Sequence, residues 1–252
     1  MHVIVDDLLI NYQTRVGKNS LNILFLHGWG DSSKGQHKFL DSLSAIGNVI
    51  APDLPGFGDS QAMSRDFSLL DYAKFVSSFC SKINLKHIDL IIGHSNGASI
   101  AIKAIANHEL QAKKLILIGA AGIRGTNKSK NSLLKVVTKT GKVVSSPLPI
   151  GIKSRLRSKL YSSVGSDMLL SENLQETFKN IVSEDLRGDA RKINIPSLLI
   201  YGEQDRSTPP KFGMIYHEAI QGSSLEIIGS AGHFVQFDQP EITLNLIKDF
   251  SK

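Results

Sequence analysis

The chain carries Gly93-His94-Ser95-Asn96-Gly97, a serine with a glycine two positions away on either side. A serine hydroxyl attacks an acyl carbon only when a base takes its proton and an acid holds that base in the right tautomer. His233, within Gly232-His233-Phe234, is the candidate base. Asp205, within Tyr201-Gly202-Glu203-Gln204-Asp205, is the candidate acid, with Glu203 its nearest competitor. The serine pattern alone arises by chance about 0.2 times in a chain of this composition, so its context carries the argument. The apolar run Leu90-Ile91-Ile92 leads into it and the helix-forming stretch Ala98 to Ala106 leaves it. A sharp turn from strand to helix strains the serine and exposes its hydroxyl, and the flanking glycines let the backbones pass close by.

Residues so far apart meet only if the intervening elements bring their loops to one edge of a sheet. Short apolar runs alternate with helix-length amphipathic stretches, the pattern of a mostly parallel sheet covered by helices. Strands are predicted at Val3 to Val5, Leu9 to Arg15, Asn22 to Leu26, Asn48 to Pro52, Leu90 to Gly93, Lys114 to Gly119, Ser197 to Tyr201 and Leu225 to Ile228. The first two, separated by Asp6-Asp7, read as an antiparallel hairpin at the sheet edge. Helices are predicted at Gly35 to Ala45, Ser68 to Ile83, Asn96 to His108, Pro210 to Ile220 and Pro240 to Phe250. From Gly125 to Asp189 the strand signal disappears, and Leu133, Val136, Val137 and Thr140, then Leu174, Phe178 and Ile181, recur at helical spacing. The expected organisation is therefore a core of residues 1–124 and 190–252, with a helical cap at 125–189 inserted after the sixth strand.

At 252 residues, 41% hydrophobic and 21% charged, the chain suits one α/β core with an insertion and excludes disordered and fibrous classes. The lone Cys80 cannot form an internal disulfide, so the cytoplasm is the expected compartment. Two acids precede position 8 and no 18 consecutive apolar residues occur, so neither a signal peptide nor a membrane span is expected. The net charge of +6 is uneven: Arg124 to Lys192 holds 14 basic and 6 acidic residues, a balance of +8, leaving −2 elsewhere.

Four motifs together make the chain resemble the α/β-hydrolase superfamily over essentially its full length. They are Leu26-His27-Gly28-Trp29-Gly30, the run Pro52-Asp53-Leu54-Pro55-Gly56-Phe57-Gly58-Asp59-Ser60, the serine turn, and the acid and histidine loops in the order Ser95, Asp205, His233. The resemblance implies an eight-stranded, mostly parallel sheet with flanking helices and a cap. It implies an oxyanion hole from the backbone N–H groups of Trp29 and Asn96, with His27 and His94 structural. Serine at position 95 argues against the branches that use an aspartate there. The implied reaction is hydrolysis of a small carboxylic ester through an acyl-enzyme. Thioester, lactone and carbon–carbon bond hydrolysis share the machinery, although relatives of the last kind usually carry a tryptophan where this chain has Phe234. A ligand receptor with incidental turnover is the alternative of another class.

Candidate acyl-pocket residues are Trp29, Leu148, Ile150, Tyr161, Met168, Phe178 and Phe234. Gly30 to Gly35 has phosphate-loop glycine spacing, but Gln36 and His37 replace the lysine and hydroxyl such a loop needs. Gly119, Gly122 and Gly125 do not open the first βαβ unit, and the eight histidines form no metal-binding pair, so no cofactor or metal is expected. Lys153, Arg155, Arg157 and Lys159 form the densest basic cluster. A solvated surface is its default reading, an anionic substrate or acidic carrier protein its sharper one. Nucleic acid is not expected, because no aromatic platform accompanies the charge.

Overall fold

A computed structural model describes residues 1–124 and 173–252. All eight expected strands are present: β1 (His2–Val5), β2 (Leu8–Arg15), β3 (Asn22–Leu26), β4 (Asn48–Pro52), β5 (Leu90–His94), β6 (Lys114–Ile118), β7 (Ser197–Gly202) and β8 (Ser224–Ile228). They form one sheet in the order β1-β2-β4-β3-β5-β6-β7-β8. The β1–β2 hairpin stands at the edge, and β2 also pairs antiparallel with β4; the remaining pairs are parallel. Asp6 and Asp7 take φ of 47° and 64°, the left-handed conformation a two-residue hairpin requires and short polar side chains tolerate.

Helices flank both faces: α1 (His37–Leu43), α2 (Leu69–Lys82), α3 (Asn96–Ala106), α4 (Asn173–Ser183), α5 (Arg187–Ala190), α6 (Pro210–Ala219), α7 (Val235–Asp238) and α8 (Pro240–Ser251). The five expected helices are all found, with ends moved by a residue or two where caps decide them. At α2, Ser68 stands outside the helix as its cap, accepting from Asp71 N at 3.2 Å while Asp71 accepts from Ser68 N at 2.8 Å.

The central strands β3 to β7 are apolar on both faces because both are covered, whereas β1, β2 and β8 toward the edges keep exposed positions. Leu24, Leu26, Ile91, Leu115, Leu117 and Leu199 pack under α2, α3 and α6, with Tyr72, Val76, Phe79, Ile100 and Tyr216. Their neighbours Ile23, Phe25, Leu90, Ile92, Ile116 and Ile118 point the other way, toward Phe39, Leu40 and Leu43 of α1 and Ile247 of α8. Burying each such side chain contributes about 1.5–3 kcal/mol.

Chain order reverses at β3, since β4 lies on one side of it and β5 on the other. A crevice for ligand forms where loops diverge at the carboxyl ends of such strands. Of the expected cap, residues 125–172 lie outside the described residues. Its last part, α4, docks on the segment before α2: Phe67 N donates to Thr177 Oγ1 at 3.0 Å and Leu69 N to Glu184 at 3.1 Å. Lys103 of α3 bridges Glu184 at 2.8 Å and Asp189 of α5 at 2.9 Å. All three side chains are at least half-buried, so this network ties the segment that follows α4 to the helix that follows Ser95. Among the described residues, no helix is long and apolar enough to cross a membrane.

Candidate active site

Ser95 sits between the end of β5 and the start of α3 at φ 52°, ψ −113°. A non-glycine residue held there costs about 1–3 kcal/mol, so its surroundings must over-determine it. They do: Ser95 N donates to Ile118 O of β6 at 2.9 Å, and Ser95 O accepts from Ala98 N at 3.1 Å and Ser99 N at 3.2 Å. The two flanking glycines are needed for close approach. A Cβ on Gly93 would lie 2.5 Å from Ala98 Cα, and one on Gly97 would lie 2.1 Å from Leu26 O of β3. Any larger residue at either position would push α3 away from the sheet.

The acid and histidine loops are interlocked by their backbones. Glu203 N donates to Ile228 O at 2.9 Å and Gln204 N to Ala231 O at 2.8 Å, which brings the loop after β7 against the loop after β8. Asp205 Oδ2 thereby stands 2.7 Å from His233 Nδ1. Asp205 is buried, whereas Glu203 is exposed. Burial pushes the Asp205 carboxyl up. The hydrogen bond and charge of His233, with the N–H and hydroxyl of Thr208, outweigh burial and hold it below its ordinary value.

Thr208 is a functional residue that sequence reasoning missed. Its hydroxyl lies 2.7 Å from Asp205 Oδ2, 2.9 Å from Gly119 O and 3.1 Å from His233 Nδ1, while its N–H and that of Ser207 bind Asp205 Oδ1 at 3.0 and 2.8 Å. The available signal was the spacing Asp205 to Thr208 just before Pro209-Pro210, where a helix must start and side chains cap free N–H groups.

The two halves of the site meet at β6. Ser95 N binds Ile118 O, and the next residue, Gly119, packs directly against the acid–histidine pair: a Cβ there would be 3.4 Å from His233 Nδ1 and 3.5 Å from Asp205 Oδ2. His94, beside Ser95, packs against His233 at 4.9 Å between ring centroids, the rings tilted by 47°, and donates from Nε2 to His233 O at 3.1 Å. Burial first, then the neighbouring His233, lowers the His94 pKa to about 3, so His94 is neutral and positions the loop. The Ser95 hydroxyl makes no hydrogen bond among the described residues. Catalytic hydrogen bonds commonly tighten only with substrate in place.

The His27-Gly28-Trp29 turn borders the serine, a Cβ on Gly28 falling 3.3 Å from Ser95 Cβ. His27 is buried and committed at both nitrogens, Nδ1 donating to Gly28 O at 2.7 Å and Nε2 accepting from Leu54 N at 2.9 Å. It therefore holds the turn and has no free atom for chemistry. Asn96 opens α3, so its N–H belongs to a first turn that has no acceptor within the helix. The Trp29 ring packs on Phe57 at 4.8 Å and on Phe178 of α4 at 5.1 Å, bringing that expected pocket residue to the site. Phe234 lies 5.4 Å from His233 and is 41% exposed. The remaining expected pocket residues, Leu148, Ile150, Tyr161 and Met168, and the basic cluster Lys153, Arg155, Arg157 and Lys159 lie outside the described residues. Among the described residues, no group of three metal-binding side chains occurs.

The pattern of the alpha/beta hydrolase fold matches residues 22–144. The chain is 25% identical to an uncharacterized hydrolase, YugF, of Bacillus subtilis, over 98% of this chain and 96% of that one. It is 27% identical to a pimeloyl-[acyl-carrier protein] methyl ester esterase of Neisseria meningitidis, covering 90% of this chain and 92% of the relative. The solved structure of an esterase from Exiguobacterium antarcticum superposes with a TM-score of 0.79 at 21% identity, covering 99% of this chain and 98% of the other.

Proposed function

We propose, for a chain that belongs to the α/β-hydrolase superfamily and is a hydrolase of that fold, that it cleaves small carboxylic esters through Ser95, His233 and Asp205. Ser95 Oγ attacks the acyl carbon and its proton passes to His233 Nε2. Asp205 holds Nδ1–H and balances the imidazolium charge. The N–H groups of Trp29 and Asn96 receive the oxyanion, acting where charge develops. Collapse breaks the bond to the leaving alcohol, which takes the proton from His233 Nε2. Water then adds to the acyl-enzyme, giving its proton to His233, and the acid leaves as Ser95 Oγ recovers that proton.

The observation that carries this reading is the 2.7 Å pairing of His233 Nδ1 with Asp205 Oδ2, held by the loops after β8 and β7 and packed on Gly119, the residue after the β6 carbonyl that binds the strained Ser95 turn. Because the carboxyl is held below its ordinary value, it is ionised at neutral pH and able to hold the imidazole in one tautomer. The test is turnover of p-nitrophenyl butanoate together with labelling by a fluorophosphonate. Ser95→Ala should remain folded, lose turnover and lose labelling. A variant retaining more than about a thousandth of wild-type kcat, far above the roughly 10⁻⁶ that remains when a nucleophilic serine is lost, would sink the proposal.

A second reading of the substrate, an acyl group on an acidic carrier protein, is favoured by the +8 balance of residues 124–192 and by the activity named for the Neisseria relative. Opposite charge raises encounter rates in a salt-dependent way. The same assay separates the two: a carrier-bound methyl ester preferred over the butanoate, with kcat/KM falling steeply as salt rises, favours the carrier. Equal kcat/KM for both esters, insensitive to salt, favours the free ester.

A further inference from the structure

Buried polar atoms almost always have hydrogen-bond partners, so those that do not call for a physical account. Among the described residues, seven buried side-chain atoms lack one, and four of these belong to Trp29, His94 and Asn96. These residues flank Ser95 in sequence or, at Trp29, follow the glycine packed on it.

Asn96 is the sharpest case. It is 4% exposed, and neither Nδ2 nor Oδ1 has a partner. Its position, the first residue of an 11-residue helix, asks nothing of a carboxamide. The cap position before it is Ser95, and the other buried residues of α3 are mostly Ala and Ile. Trp29 repeats the pattern independently. Its Nε1–H is buried without an acceptor, and the rings packed on it, Phe57 and Phe178, offer none. The His94 Nδ1 lone pair stands apart from these, since it is covered by Gly28, where a Cβ would lie 3.1 Å away.

Trp29 and Asn96 are also the two residues whose backbone N–H groups the mechanism above points at the substrate carbonyl oxygen. Both side chains branch from residues that border Ser95, Trp29 following the glycine packed on it and Asn96 following it in the chain. Two donors, Nε1–H and Nδ2–H, need an acceptor there, and one acceptor, Oδ1, needs a donor. A plain alkyl chain supplies neither and would leave all three atoms unpaired in the complex. A carboxylate supplies only acceptors. A hydroxyl supplies both.

We infer that the acyl group of the substrate carries a hydroxyl one or two carbons from the scissile carbonyl, bound by the Asn96 carboxamide and the Trp29 indole N–H. This inference rests on the ester-hydrolase reading and names its substrate class: 2- or 3-hydroxyacyl esters. A site that binds a substrate hydroxyl discriminates strongly against the analogue lacking it, because its own polar groups are then stranded.

The test compares kcat/KM for p-nitrophenyl 2-hydroxybutanoate, 3-hydroxybutanoate and butanoate. The wild-type protein should prefer one hydroxyacyl ester over butanoate by at least about tenfold. Asn96→Leu, which keeps the backbone N–H and the side-chain bulk, should reduce that ratio at least about fivefold, and Trp29→Phe should reduce it in the same direction. The ratio is the readout because damage to the oxyanion hole lowers all three esters alike. Asn96→Leu should also melt at a higher temperature, having lost two unpaired buried atoms. A wild-type ratio near one, a ratio unmoved by Asn96→Leu, or a lower melting temperature for that variant would overturn the inference. Failure of the ester-hydrolase reading looks different: no ester is turned over in a Ser95-dependent way. In that event, 3-hydroxybutanoate or 2-hydroxybutanoate raising the melting temperature of Ser95→Ala protein more than butanoate does supports the inference, and equal shifts overturn it.

Discussion

Thr208→Val removes one hydroxyl and keeps the shape of the side chain, so it isolates what that hydroxyl does for the acid–histidine pair. The oxygen has one proton and three neighbours, Asp205 Oδ2 at 2.7 Å, Gly119 O at 2.9 Å and His233 Nδ1 at 3.1 Å. The shortest of these is a charge-assisted bond to a buried carboxylate, and such bonds contribute about 1.5–3 kcal/mol. Asp205 keeps its bonds from Ser207 N, Thr208 N and His233, so the loop stays in place and the loss stays near that range. Taken wholly from the transition state, it lowers kcat by about 10- to 100-fold, well short of losing the carboxylate itself. The stability effect has a definite pH dependence. The folded-state pKa of Asp205 is depressed, so its contribution is present above the unfolded-state value of about 3.9 and is lost as pH falls through the folded-state value. Removing the hydroxyl raises the folded-state value toward the unfolded one. Melting temperatures of wild type and variant should thus differ most near pH 7 and converge below about pH 4, where both carboxyls take up protons. Turnover of p-nitrophenyl butanoate and thermal melts between pH 3 and 8 measure both effects. A kcat within twofold of wild type, or a melting difference that grows toward acid pH, would refute the reasoning.

Two further outcomes follow from the geometry of the site. Ser95→Gly removes the Cβ from a residue at φ 52°, so it should abolish turnover while raising unfolding free energy by about 1 kcal/mol in urea melts; a loss of stability would show that the turn stores no strain. Asp205→Asn should lower kcat by about 10⁴ by favouring the wrong imidazole tautomer, whereas Glu203→Gln, at an exposed position, should stay within about threefold of wild type; the reverse ranking would transfer the acid's role to Glu203.

The sheet was legible in the sequence because its determinants are local. Each central strand is a run of apolar residues bounded by turn residues, and two covered faces make those runs continuous rather than alternating. The strained turn was equally legible, since Gly93 and Gly97 answer contacts with Ala98 and Leu26 that only a bare Cα allows. What the local pattern could not contain was the pairing of loops. Glu203 and Asp205 are both acids just past one strand, and nothing within that loop separates them. The separation comes from the bonds of Glu203 N to Ile228 O and Gln204 N to Ala231 O, which bury one carboxylate against His233 and leave the other in water. Thr208 escaped notice for the same reason, because its partners, Gly119 and His233, lie 89 and 25 residues away. So did the bridge from Lys103 to Glu184 and Asp189, and the contact of Trp29 with Phe178. Periodicity and spacing decide which elements form; which side chains then meet is decided by packing across the sheet, where residues distant along the chain come within a few ångströms.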